Sequence, residues 1–244
     1  MENVSIISFY GLIFGMLGTT FGGIIGAYLN ITSKKFLSFI LEFAAGIMNA
    51  IICFNLIPES LKITNISLTV SGILVGIFVM IYCSKTVDKH YKINTQNNNK
   101  LFKSGIIIAI GIAIHNLPEG LAIGAGFESS DALGFNLALA IAIHDIPEGI
   151  SVALPIKSGG YSKAKSIFIT ALSGFTTAIG AFIGALIGSI SPIFIGLSLS
   201  FAAGAMLYII SCELIPESKS IYKGKFASFG NILGLILGLL SITI

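Results

Sequence analysis

His115 and Glu119 stand four residues apart, and so do His144 and Glu148. On a helix that spacing puts both side chains of a pair on one face, where an imidazole nitrogen and a carboxylate oxygen can take the same cation. The two pairs sit in nearly identical text: Ile112 to Gly120 reads IAIHNLPEG, and Ile141 to Gly149 reads IAIHDIPEG. Asn116 and Asp145 add a further oxygen beside each histidine. Two imidazoles and two glutamates with these oxygens adjacent suit zinc, and also admit iron(II), manganese, cobalt or cadmium. The set is too rich in nitrogen for magnesium or calcium, and neither motif holds the Cys or Met that copper(I) prefers. A lone buried histidine is usually a satisfied core residue, but duplication of the whole motif argues against that reading here.

The elements that must carry these side chains follow from composition. Of 244 residues, 55% are hydrophobic and only 10% charged, a balance that a soluble domain of this size does not need. Apolar stretches near the roughly 20 residues that cross a hydrocarbon core fall at about 5–29, 36–58, 66–84, 104–127, 132–155, 164–189, 192–216 and 226–244. The expected fold is therefore an all-α membrane protein with eight transmembrane helices, forming a single transporter domain over residues 1–244. The Lys- and Asn-rich segment at about 85–103 is expected to be a cytoplasmic linker. The first stretch is too long for a signal core and lacks a basic leader, so it is expected to be a mature span.

All 14 basic residues are lysines. Lys34 and Lys35 follow span one, Lys85 to Lys103 span three, Lys157, Lys163 and Lys165 span five, and Lys219, Lys223 and Lys225 span seven. Lys62 alone breaks the alternation. Since basic loops stay cytoplasmic, both termini are expected outside, in a plasma-membrane protein. Span four then runs outward and span five inward, so the two histidine motifs are antiparallel. A second repeat, Phe43 to Ser60 (FAAGIMNAIICFNLIPES) against Phe201 to Ser218 (FAAGAMLYIISCELIPES), relates spans two and seven. Together they imply inverted repeats, helices 1–3 against 6–8 and helix 4 against 5, with a site near mid-membrane at their interface.

Energetics favours a functional reading. An acid at mid-bilayer costs about 2.5–3.5 kcal/mol, and Glu119, Asp145, Glu148 and Glu213 all fall within spans that carry no lysine. The compensating charge must be protons or a bound cation, and converging imidazoles favour a metal. Asn55 and Glu59, with their repeat partners Glu213 and Glu217, are candidates to line a route to and from the centre. Pro118 and Pro147 each remove one helical hydrogen bond and are expected to kink and open their helices. Glu42 is expected at the interface, and His90 is expected to be an exposed, passive linker histidine. The cysteines, Cys53, Cys83 and Cys212, form no close pair in sequence, and their default reading is packing. Glycines at four-residue spacing, such as Gly18, Gly22 and Gly26, are given no functional weight.

On its two His-x-x-Pro-Glu-Gly motifs, at His115 to Gly120 and His144 to Gly149, the sequence resembles the ZIP (Zrt/Irt-like) metal transporters, most of all their bacterial zinc-uptake branch. The resemblance implies that His115, Glu119, His144 and Glu148 hold one ion, that Asn116 and Asp145 serve a neighbouring second position, and that net movement is toward the cytoplasm. The sequence departs from the family at Thr177, where many relatives carry a glutamate that completes the second position, and at Cys212, where some carry a histidine that bears on the exit route. The linker lacks the histidine cluster of many eukaryotic members.

The expected function is transport of divalent transition-metal ions, zinc foremost, by alternating access. The ion is cargo, and no separate cofactor is expected. An intramembrane metallohydrolase is the alternative enzyme reading, but His-Glu-x-x-His is absent. A passive cation channel is the other alternative. The expected partners are metal ions and the lipid bilayer, without nucleic acid, and a homodimer is left open.

Overall fold

In the computed structural model, residues 2–28, 33–90 and 100–242 are described. They form eight helical rods: α1 (Glu2–Tyr28), α2 (Lys34–Ile63), α3 (Ile66–His90), α4 (Lys100–Ser129), α5 (Asp131–Ser158), α6 (Lys163–Gly188), α7 (Pro192–Ile221) and α8 (Lys225–Ile242). The first seven are long and apolar enough to cross a membrane. α8 has 18 residues and so spans roughly 27 Å, close to a hydrocarbon core. Large side chains such as Phe78, Phe168 and Ile190 lie exposed around the bundle, as a surface solvated by lipid requires.

Local sequence explains where the rods begin. Ser33, Ser130 and Ser162 each accept a hydrogen bond from a first-turn backbone N–H, of Phe36, Leu133 and Lys165 respectively, which satisfies donors that a helix start leaves free. The short α5–α6 turn ends on Gly160 with φ 88°, a left-handed conformation that glycine adopts without strain. α3 and α4 run further into the expected linker than hydropathy suggested, because Lys, Asp and Thr extend a helix once an apolar stretch has nucleated it. Residues 91–99 of that linker lie outside the described residues, as does the His90 side chain.

α4 and α5 remain helical through Pro118 and Pro147; one missing N–H removes a single bond, and packed neighbours hold the rest of the helix. The backbone instead widens before Pro58 and Pro216. There α2 and α7 contain π turns, Ile52–Leu56 and Ile210–Leu214, with Ile57 and Ile215 N–H donating to the carbonyls of Ile52 and Ile210. The bond five residues back leaves room for a ring that cannot donate.

α1, α4, α5 and α6 pack closely together, with α1 against α5 and α6, and α4 against α5 and α6. α2 pairs with α8 and α3 with α7 beside this group, which they meet chiefly through α2 against α5 and α7 against α4. Two glycines of the repeated motifs set the spacing. A Cβ on Gly120 would strike the carbonyl of Thr177 in α6, and one on Gly149 would strike that of Thr19 in α1. The glycines at four-residue spacing thus permit backbone contact; Gly18 and Gly22, for example, sit against carbonyls of α5. Gly149→Ala is expected to cost about 1–3 kcal/mol by overpacking and to lower the thermal midpoint of purified protein; an unchanged midpoint would contradict this packing.

Candidate metal centre

The two motif segments face each other across the α4–α5 contact, and His115, Glu119, His144 and Glu148 converge. One ligand atom from each can be chosen so that all lie within 4.8 Å of one another. His115 Nε2 stands 3.1 Å from Glu119 Oε1 and 3.0 Å from Glu148 Oε1, and His144 Nε2 stands 2.8 Å from Glu119 Oε1. Ligands about 2.0–2.2 Å from a tetrahedral ion lie roughly 3.3–3.6 Å apart, so small shifts would seat one. His144 Nδ1 lies 3.3 Å from the Ala140 carbonyl oxygen; a proton held there leaves the Nε2 lone pair aimed at the cluster.

All four side chains are buried, with His115 2% exposed and the other three 0%. No lysine pairs with them among the described residues, and Glu119 Oε2 and Glu148 Oε2 have no hydrogen-bond partner. Buried carboxylates without donors are expensive, and an ion held by these atoms would remove that cost. Asp145 is adjacent, its Oδ1 3.4 Å from His144 Nε2, and neither of its oxygens is hydrogen-bonded. Asn116 donates through Nδ2 to the Ser173 carbonyl at 3.1 Å, leaving Oδ1 unpartnered. Thr177 is buried in α6 with an unpartnered Oγ1. Gly15 and Gly18 of α1 lie against Thr177 and Asp145 respectively, so both residues face the same helix.

A cavity of about 300 Å³ leads away from this cluster. His115 and Glu148 line it together with Cys212, Glu213 and Glu217 of α7, and with Ser84, Ile107 and Ser151 toward the bundle end where α3 and α4 are connected. Three of the five route candidates therefore share the cavity with the cluster. The other two lie elsewhere: Asn55 is buried on the π turn of α2 with Oδ1 unpartnered, and Glu59 at the opposite end binds Ser129 at 2.6 Å and Lys62 at 3.0 Å. That ion pair accounts for the lysine that breaks the charge alternation. Met80 and Ser84 of α3 also line the cavity; nothing in their sequence setting distinguishes them from other lipid-span residues.

Two readings of the sequence are corrected. Cys53 and Cys212 are exposed and are not packing residues, because the π turns rotate them out of the helix contact. Glu42 is 3% exposed and pairs with Lys219 Nζ at 2.8 Å, beside a hydrogen bond between the Ser38 and Ser218 hydroxyls of 2.7 Å. Contact between α2 and α7 buries it within the bundle. Removing the ammonium strands this carboxylate, so Lys219→Met is expected to lower the thermal midpoint and Glu42→Gln/Lys219→Met to recover most of the loss. Failure of the double variant to recover would show that the pair is not coupled.

Comparison with known proteins identifies relatives of the chain. The ZIP Zinc transporter family profile matches residues 83–244. The chain is 33% identical over 276 residues to the zinc transporter ZupT of Campylobacter jejuni, covering 95% of this chain and 94% of that protein. It is 34% identical to ZupT of Streptococcus mutans, over 91% of this chain and 90% of the relative. With the zinc transporter GufA of Myxococcus xanthus it shares 35% identity over 69% and 68% of the two chains.

Proposed function

The chain belongs to the ZIP family of zinc transporters, and from that premise we propose that it moves zinc across the membrane through the cluster of His115, Glu119, His144 and Glu148. One observation carries the reading: four ligand atoms from two antiparallel helices lie within 4.8 Å, buried and with no lysine paired to them among the described residues. A protein-bound structural zinc would be held by ligands that never need to let go. Here the ligands are imidazoles and carboxylates, which take up protons, so binding can be reversed.

Asn116 and Asp145, with their unpartnered oxygens, are the residues available for a second, weaker position beside the first. Thr177 offers a neutral hydroxyl there. Cadmium, iron(II), manganese and cobalt fit the same donors and are further cargo. The lysine-rich loops support an orientation with the cavity end in the cytoplasm and the termini outside the cell. On that orientation the described state faces inward, and Cys212, Glu213 and Glu217 flank the path of release. A cavity that reaches the cluster from one end supports a carrier that alternates over a continuous channel.

Zinc uptake into proteoliposomes tests the proposal. Uptake is expected to saturate with zinc, to be competed by cadmium and to be indifferent to magnesium and calcium. His144→Ala/Glu148→Ala is expected to abolish it. Full uptake by that double variant would overturn the assignment.

A further inference from the structure

The two repeats fix residue correspondences without any reference to the fold. IAIHNLPEG and IAIHDIPEG are offset by 29 residues, so Ser129, at the end of α4, corresponds to Ser158, at the end of α5. The longer repeat is offset by 158 residues, so Glu59 of α2 corresponds to Glu217 of α7. The structure treats these two equivalent Glu/Ser pairs differently. Glu59 Oε1 accepts a hydrogen bond of 2.6 Å from Ser129, joining α2 to α4 at the end away from the cavity. Glu217 and Ser158 both line a gap of about 250 Å³ between α7, α2 and α5, and no hydrogen bond joins them. Glu217 and Ser151 also border the cavity from the metal cluster, so the open pair stands at the open end.

We propose that Glu59–Ser129 and Glu217–Ser158 are alternating latches: the first holds the outer end shut while the cavity faces inward, and the second closes the inner end when the outer one opens. Each latch links a helix of the α1/α4/α5/α6 group to one of the flanking helices, so its state is tied to how those groups sit relative to each other. The two carboxylates differ in support. Glu59 is also paired with Lys62 at 3.0 Å, whereas the repeat equivalent of Lys62 is Ser220. The outer latch is thus the better held, which accounts for the inward-facing resting state. The inference rests on the alternation proposed above, but its test reads conformation and not flux.

The full chain carrying Cys53→Ser and Cys83→Ser leaves Cys212, exposed and lining the inner cavity, as a reporter of inward opening. The probe is a charged, water-soluble maleimide applied in detergent without metal. Losing a hydrogen bond to a carboxylate should shift the inward-to-outward ratio by roughly tenfold; because the inward state is the major one, labelling slows by less than that, and Ser129→Ala is expected to slow Cys212 labelling measurably. Ser158→Ala is expected to leave the rate at or above that of the parent. No slowing by Ser129→Ala, or equal slowing by both variants, would overturn the proposal. A second measurement guards against misfolding of either variant. In a background with Cys53, Cys83 and Cys212 all replaced by serine, Ser158→Cys/Glu217→Cys should form a disulfide, faster when Ser129→Ala is added. No disulfide, or a rate indifferent to Ser129→Ala, counts against the latch. Loss of zinc uptake with labelling behaviour intact would instead indict the cargo assignment alone.

Discussion

Glu119→Gln is expected to raise the thermal midpoint of the metal-free protein while abolishing the rise that zinc produces in the parent. Glu119 is the ligand that approaches both histidines, at 3.1 Å from His115 and 2.8 Å from His144, and its Oε2 is buried without a partner. Without an ion it brings negative charge into a pocket that also holds Glu148 and Asp145. An acid at such depth costs about 2.5–3.5 kcal/mol, part of which the neutral amide avoids. With an ion the sign reverses. Losing a charged ligand outweighs losing a ligand's hydrogen-bond partner, which already costs about 10–100-fold, so zinc affinity is expected to fall by at least about 100-fold. Thermal denaturation with and without excess zinc measures both effects. A variant whose apo form is less stable, or which keeps its zinc shift, would contradict the account.

His115→Ala/His144→Ala is expected to produce a change of comparable size in selectivity. It leaves Glu119, Glu148, Asp145 and Asn116, an all-oxygen set. Zinc depends on nitrogen donors more than manganese does, so zinc binding is expected to weaken by about 100-fold or more and the zinc-to-manganese preference by roughly tenfold. Competition titration of purified protein checks the ratio. Loss of both metals in equal proportion would mean that the histidines serve packing and not discrimination.

Much of the site was legible because the text states it twice. His115 with Glu119 and His144 with Glu148 needed only helical spacing, and hydropathy placed both motifs at depth. The eight rods followed from runs of apolar residues interrupted by lysine. The details set by contacts between distant segments were not readable. Cys212 was read both as a packing residue and as a route candidate, and only its place in the cavity, on the π turn before Pro216, decides between them. The pairing of Glu42 was not readable either, because Lys219 arrives from α7, 177 positions away. The close seat of Gly120 against α6 and of Gly149 against α1 was likewise not readable from either motif alone.

Anomalous diffraction from zinc-loaded crystals, collected on either side of the zinc absorption edge, tests the central claim most directly. The account predicts a dominant peak bounded by His115 Nε2, His144 Nε2 and carboxylate oxygens of Glu119 and Glu148, at bond lengths of about 2.0–2.2 Å. A dominant peak on the Cys212 thiol or at a surface lysine-rich loop, with the buried cluster bare, would contradict it.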